Sequence, residues 1–134
     1  MALVGDCNDT STYQTCLSEP CVLAGDFNAI APGDSENVSA WPKRLRQMWN
    51  LQGRQVFHWA LAEVSKIGFT DCYRCLHPDD AGFTLPTPTP NSRLDYIFAT
   101  DALKHRLRHC FVAQEPSATE VASDHYPVVA EFDF

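Results

Sequence analysis

"RLDYIFAT", residues 93–100, is the stretch that decides the fold. Its aromatic and β-branched residues predict a strand, and Asp95 is set among them. A carboxylate inside so apolar a strand costs on the order of several kcal/mol unless it is paired or hydrogen-bonded. A histidine is a natural partner, because a carboxylate fixes the ring tautomer and raises its basicity. We therefore expect Asp95 to pair with His125 of "SDHYPVV", which follows Asp124 at the start of another strand.

A second strand ends in polar side chains. In "PCVLAGDFNAI", residues 20–30, a short apolar run predicts a buried strand at 21–25. Residues two apart in a strand point to the same side, so Asp26 and Asn28 are expected to face one way and Phe27 the other. This pattern is typical of a strand that opens into a polar site.

The remaining elements alternate between helix and strand. Spacings of three and four among apolar residues predict a helix at 55–67, ended by Gly68. The other helices are expected at 42–51 and, as short ones, at 101–107 and at 11–17 within a poorly ordered start. An extended segment is expected at 69–76, a strand at 108–116 and a closing strand at 126–134. The connections are a loop at 29–41, a turn-rich connector at 77–83, a stiff proline loop at 83–92 and a loop at 117–125. This order indicates a mixed α/β fold with helices covering one face of a sheet.

Composition limits the class of protein. The 134 residues suffice for one domain, and the formal net charge of −7 argues against a non-specific nucleic-acid binder. No apolar run is long enough for a membrane helix, and the start does not resemble a signal peptide, so a cytoplasmic location is expected. Cys72, Cys75 and His77 have half the pattern of a zinc site, but no second pair completes it. We expect the six cysteines to be reduced, mostly buried thiols.

The polar residues at the strand ends suggest a chemistry when taken together. Carboxylates suit Mg²⁺ or Mn²⁺, and a hard cation with a histidine and an asparagine suits a phosphorylated substrate. Each residue alone has a simpler explanation. Asp26, Asn28 and Asp124 could be turn or capping residues, Asp95 a surface residue of an edge strand, and His125 a structural histidine.

Three motifs in order, "GDFN", "RLDYIF" and "SDHYPV", resemble the endonuclease/exonuclease/phosphatase superfamily, the DNase I-like fold. The resemblance runs from about residue 20 to the end. It implies half of a four-layer α/β/β/α sandwich, the C-terminal half, at 20–134, preceded by a poorly defined segment at 1–19.

The resemblance also implies roles in a metal-dependent phosphoester hydrolase. Asp26 would orient or deprotonate the attacking water, and Asn28 would hold a phosphate oxygen or lie beside the metal. Asp95 would pair with His125, and His125 would contact the scissile phosphate. Asp124 would join Asp26 and Asn28 at a Mg²⁺ or Mn²⁺ site. The reaction would be in-line hydrolysis of a phosphoester.

The chain departs from the family in what precedes the "GDFN" strand. The family's N-terminal half would bring an asparagine and a glutamate, the main metal ligand, and Glu19 lacks the apolar strand context of that residue. We therefore expect an exposed sheet face, open to a partner chain or a missing half, and weak or no catalysis by the chain alone. The alternative function is an inactive remnant that acts as a binding module, or one half of a two-chain enzyme.

The substrate class stays open between nucleic acid and a small or lipid-linked phosphoester. Phe83 is the only aromatic residue in the loop before the "RLDY" strand, which argues against abasic DNA. Arg44 to Gln47 could touch phosphate or form a solvated helix face.

Overall fold

The computed structural model describes residues 17–34, 38–41, 43–51, 58–114 and 122–134. Five strands are present in this part of the chain: β1 (Val22–Asp26), β2 (Phe69–Asp71), β3 (Asp95–Thr100), β4 (Leu107–Val112) and β5 (Val128–Phe132). The helices are α1 (Lys43–Leu51), α2 (Trp59–Lys66), α3 (Cys72–Leu76) and α4 (Asp101–Lys104), with a 3-10 turn at Val38–Ala40. Most of the short helix expected at 11–17, Cys7, Cys16 and most of the loop expected at 117–125 lie outside the described residues.

The central strand is β3, the strand predicted from "RLDYIFAT". It lies between β1 and β2 and pairs antiparallel with both. Tyr96, Phe98, Ala99 and Thr100 are almost fully buried in it. The first polar residue, Asp95, stands at its beginning, where the apolar core ends.

β1 is where the sequence predicts, but the expected burial is wrong. All five of its residues are exposed, and 44% of Val22 is accessible. The reason is position: β1 is an edge strand that pairs only with β3 in the described part of the chain. An apolar composition shows that a strand can be buried, but it does not determine whether neighbouring elements cover the strand.

The other two strands form a second antiparallel sheet. β4 pairs with β5 from Val112 opposite Val128 to Leu107 opposite Phe132, with an irregularity between Leu107 and His109. Cys110 of β4 is buried and packs in a hydrophobic cluster with Cys72 and Leu103. Residues of β3 contact residues of β5, so the two sheets pack together in a body with mixed α/β content, as predicted.

The segment 69–76 corrects the sequence prediction. Only Phe69–Asp71 is extended, and Cys72–Leu76 is a helix rather than a continuation of the strand. The cause is the Asp71 carboxylate, which accepts a hydrogen bond from the backbone N–H of Arg74 at 3.1 Å. An aspartate in this position caps a helix and satisfies a backbone donor that would otherwise be unpaired. The helices predicted at 42–51 and 55–67 are present as α1 and α2, although 52–57 lies outside the described residues.

Candidate active site

Two carboxylates face each other where β1 ends and β3 begins. Asp26 is the register partner of Asp95, and the ladder continues through the N–H of Phe27, which donates to the carbonyl of Leu94 at 2.9 Å. Residues directly opposite in an antiparallel pair have their side chains on the same face, with Cβ atoms about 5 Å apart. The strand pairing alone therefore brings together two negative groups that are 69 residues apart in sequence.

Asn28 joins Asp26 through a tight turn. Its backbone N–H donates to one oxygen of the Asp26 carboxylate at 2.8 Å, and its side-chain Nδ2 donates to the other at 3.1 Å. The strand ends at Asp26, and Asn28 has a positive φ of 47°, a conformation that asparagine adopts more readily than most residues. The two side chains do lie together as predicted, but a turn brings them together and not the alternation of a strand.

The histidine expected beside Asp95 is present. Nδ1 of His125 lies 2.8 Å from Oδ2 of Asp95, and both side chains are about one-fifth to one-quarter exposed. With Nδ1 turned to the carboxylate, Nε2 is the ring nitrogen left to meet a substrate. A carboxylate in this place holds the ring in one orientation and stabilises its protonated form.

The carboxylates raise the pKa of His125. Partial burial works in the opposite direction, since it disfavours the cation, but the hydrogen bond with Asp95 and the charges of Asp95, Asp26 and Asp124 outweigh it. The net pKa lies above the ordinary value of 6.5. His125 therefore carries a positive charge over more of the neutral range than a free histidine does.

The proline loop holds the segment that carries His125. The N–H of Thr87 donates to the carbonyl of Asp124 at 2.9 Å, and its hydroxyl donates to the carbonyl of Ser123 at 2.9 Å. On the other side of the histidine, the N–H of Tyr126 donates to the carbonyl of Thr84 at 2.8 Å. Backbone hydrogen bonds thus place the ring, so the stiffness predicted for the loop at 83–92 has a use in positioning His125.

A buried ion network is centred on Arg93, two residues before Asp95, and it was not predicted from the sequence. The Arg93 guanidinium bonds to both oxygens of Asp34 at 2.7 and 2.9 Å and to both oxygens of Asp71 at 2.5 and 3.2 Å. Arg74 adds a third cationic contact to Asp34 at 2.8 Å. The hydroxyl of Tyr96 accepts from the N–H of Ala31 at 2.9 Å. These contacts tie the loop after Asn28 to the beginning of β3, which carries Asp95.

The only sequence feature that pointed to this network was a charged residue, Arg93, at the start of an apolar strand. Its guanidinium also lies 4.5 Å from the centre of the Tyr96 ring. Burial opposes its charge, but the hydrogen bonds to Asp71 and Asp34 outweigh burial and raise its pKa. Arg93 is therefore a permanent cation just before β3, the strand that begins with Asp95.

The site offers part of the set of oxygen ligands that a divalent metal ion needs. Within the described residues, no three His, Cys, Asp or Glu side chains cluster closely enough to form a protein-only metal site. Mg²⁺ is often held by only one or two carboxylates, with waters and substrate oxygens completing the shell. Asp26, the amide oxygen of Asn28 and the exposed Asp124 suit that kind of site.

Glu19 is remote from these groups. Its backbone carbonyl accepts from the Thr100 hydroxyl at 2.8 Å, at the opposite end of β3 from Asp95. Five residues of a strand span roughly 17 Å. The Glu19 carboxylate therefore does not belong to the site.

Three cysteines in the described part of the chain, Cys72, Cys75 and Cys110, are free thiols. Cys72 and Cys110 are buried, Cys21 is intermediate and Cys75 is exposed. Burial is the main cause that raises the pKa of Cys72 to about 12 and that of Cys110 to about 11, which keeps both protonated. His77 directs Nε2 to the carbonyl of Cys110 at 2.8 Å and does not join Cys72 and Cys75 in a metal cluster.

A search for membrane-spanning helices finds none in the described parts of the chain that has the necessary length and apolar character.

Comparison with protein families gives one match that covers most of the chain. The model of the Endonuclease/Exonuclease/phosphatase family matches residues 3–125. The match begins before residue 20, and the boundary expected there stays a prediction. No curated protein matches the chain.

Solved structures that resemble this chain in fold include three enzymes. An AP endonuclease from Archaeoglobus fulgidus is 25% identical with a TM-score of 0.64, over 88% of this chain and 47% of that one. The 3' phosphatase NExo (D146N) from Neisseria, bound to a product DNA hairpin, is 31% identical with a TM-score of 0.58, over 86% and 46%. The 3'-5' exonuclease NExo from Neisseria meningitidis is 30% identical with a TM-score of 0.59, over 86% and 46%. The chain spans about half the length of these proteins, and the fold it shares with them is the DNase I-like α/β sandwich, in part.

Proposed function

The chain belongs to the Endonuclease/Exonuclease/phosphatase family, and from that premise we propose that it supplies the phosphate-binding and proton-transfer groups of a phosphoester hydrolase. The observation that carries the proposal is the His125–Asp95 pair, 2.8 Å between Nδ1 and Oδ2, with Asp26 directly opposite Asp95. A surface histidine or a turn aspartate does not need such a partner. Asp26 at the end of β1, Asp95 at the start of β3 and His125, held by the proline loop, together form a preorganised site.

Each side chain has a role that its contacts allow. Protonated His125 donates from Nε2 to a phosphoryl oxygen or to the leaving oxygen. Asp26 orients the attacking water and accepts its proton as the water oxygen bonds to phosphorus and the ester P–O bond breaks. Asn28 spends one N–H of its amide on Asp26 and keeps the other for a phosphate oxygen. Asp95 keeps His125 oriented and charged.

A divalent cation is part of the proposal. Asp26, the Asn28 amide oxygen and Asp124 would hold Mg²⁺ or Mn²⁺, with waters and the substrate as further ligands. When bound, the cation neutralises charge on the phosphoryl group. This role agrees with a site whose own groups include three carboxylates and one cationic histidine.

For the substrate we propose a DNA end. Two of the similar structures are described as a 3' phosphatase bound to a DNA hairpin and as a 3'-5' exonuclease. The net charge of −7 disfavours long non-specific tracking along DNA, and a single phosphate at a strand end needs no extended basic surface. The exposed basic residues Lys43 and Arg44 of α1 are available for one or two backbone phosphates.

The test uses a DNA hairpin with a 3'-phosphate, incubated with the chain in magnesium or in EDTA. We measure the release of inorganic phosphate and the length of the strand. His125→Asn and Asp95→Asn are each expected to lower the magnesium-dependent rate by about 10²–10⁴-fold, the usual contribution of a positioned acid or base. The matched controls His109→Asn and Asp101→Asn alter exposed residues on other elements and are expected to keep the rate.

A second candidate is a phosphate-binding module without hydrolysis. It is favoured by the incomplete set of metal ligands among the described residues. Fluorescence anisotropy with the same hairpin separates the two: binding that His125→Asn weakens, without any turnover, identifies the module. If neither turnover nor binding depends on His125, both candidates are wrong.

A further inference from the structure

A groove of about 390 Å³ is lined by residues other than those of the candidate active site and plays no part in the chemistry described above. It is called the β4 groove here, after the strand that forms one wall. Its walls include Tyr73, His77, Asp80, Phe83, Phe111 and Gln114. We propose that the β4 groove binds a nucleobase that carries an amino group. That this base belongs to the strand whose phosphate meets His125 rests on the proposed function, whereas ring binding itself does not.

Aromatic surface is the first observation behind the proposal. Phe111 is 44% exposed near the end of β4, and it lines the groove. The rings of Tyr73 and His77 also line the groove and lie 4.8 Å apart at an angle of 42°, but Tyr73 is only 9% exposed. Phe111 therefore offers the accessible aromatic face, and such a face accepts a stacked base of any sequence identity.

The hydrogen-bonding groups favour a base with an amino group. Asp80 uses Oδ1 to accept from the Tyr73 hydroxyl at 2.6 Å and from the N–H of Gly82 at 2.8 Å. The bond from Tyr73, followed by that from Gly82, lowers the pKa of Asp80, so the carboxylate stays ionised and Oδ2 is an acceptor. The Gln114 amide lies 3.5 Å from the carbonyl of Phe83, at the outer limit of a hydrogen bond, and can turn to a ligand.

Charge argues against a phosphate in the same place. The described side chains that line the β4 groove include no lysine or arginine, and Asp80 is negative. An anion would be repelled, whereas the exocyclic amino group of adenine or cytosine would meet the carboxylate as a donor. Thymine lacks such a group.

Two backbone hydrogen bonds connect residues next to the walls of the β4 groove with the segment that carries His125. The N–H of Tyr126 donates to the carbonyl of Thr84, next to Phe83, at 2.8 Å. The N–H of Ala113, next to Gln114, donates to the carbonyl of Pro127 at 2.8 Å. The segment that carries His125 is therefore held between two elements that also form the groove.

The test titrates the chain with adenosine, cytidine and thymidine, followed by ¹⁵N–¹H NMR. These probes have no phosphate, so the result does not depend on hydrolysis. We expect saturable shifts of the Gly82 and Phe83 amides and of the Gln114 side chain with adenosine and cytidine, and weaker binding of thymidine. Phe111→Ala is expected to weaken adenosine binding about five- to a hundredfold, as for the loss of one stacked base. The matched control Phe134→Ala, a phenylalanine that is 92% exposed, is expected to leave it unchanged.

Three results would overturn the proposal. They are the absence of shifts at the groove, binding that Phe111→Ala does not weaken, and equal binding of thymidine and adenosine. His125→Asn is expected to leave nucleoside binding intact. If nucleosides bind but the DNA hairpin is not hydrolysed, the base site stands and only the proposed function fails.

Discussion

Replacement of Arg93 by methionine should remove a large part of the stability of the chain. Arg93 and Asp34 are each only 2% exposed, and the guanidinium makes four contacts of 2.5–3.2 Å to two carboxylates. Breaking a buried ion pair costs about 3–5 kcal/mol, because a charge is left without its partner. Asp34 keeps Arg74 at 2.8 Å and the Tyr96 hydroxyl at 3.2 Å, so we expect the lower end, about 3 kcal/mol.

Urea unfolding followed by circular dichroism measures this loss. With an ordinary dependence on denaturant, about 3 kcal/mol lowers the midpoint by about 1–3 M. The control Arg106→Met removes an exposed arginine and should change stability by less than about 0.5 kcal/mol. In a double-mutant cycle, Arg93→Met and Asp34→Leu should cost much less together than the sum of the single changes. A loss below about 1 kcal/mol for Arg93→Met, or additivity in the cycle, would refute the reasoning.

Three further predictions concern the site and its support. The pKa of His125, followed by NMR, should fall in Asp95→Asn. Because the folded pKa is raised, the stability that the Asp95–His125 pair adds is full below about pH 6.5 and is lost as the pH rises through the folded value. A loss of stability in Asp95→Asn that grows with pH would contradict this prediction. Gly82→Ala should destabilise the chain by about 2–4 kcal/mol in thermal unfolding, because φ at Gly82 is +60° and the added Cβ would overlap the ring of Tyr73. An unchanged melting temperature would contradict this prediction. Iodoacetamide on the native chain should label Cys75 and spare Cys72, by peptide mass spectrometry, and equal labelling would argue against the burial described.

Local chemistry was enough to predict the central elements and the pair at the site. The composition of 93–100 predicts a strand, and β3 lies within it at Asp95–Thr100. The cost of an unpaired charge pointed from Asp95 to His125, and the structure contains that contact. The argument succeeded although the two residues are 30 positions apart, because a carboxylate in an apolar strand requires a partner wherever that partner lies in the sequence.

Features that depend on distant residues escaped the sequence. The Asp34–Arg93 bond joins positions 59 residues apart, and the sequence around either residue does not indicate that the other is its partner. The exposure of β1 depends on which strands lie beside it. The helix after Asp71 was missed for a different reason, since it depends on a local capping bond from the N–H of Arg74. The β4 groove is a space between the connector at 77–83 and β4, so no single motif encodes it.

The antiparallel pairing of β1 with β3 makes the site sensitive to the length of the chain. Asp26 meets Asp95 because five consecutive residues of β1 stay in step with β3. Inserting or deleting one residue between 22 and 26 would slip the pairing and turn the Asp26 carboxylate to the opposite face of the sheet. A substitution in β1 changes one contact, whereas a one-residue length change separates the two carboxylates altogether. Strand length is thus as much a part of this site as the identity of its side chains.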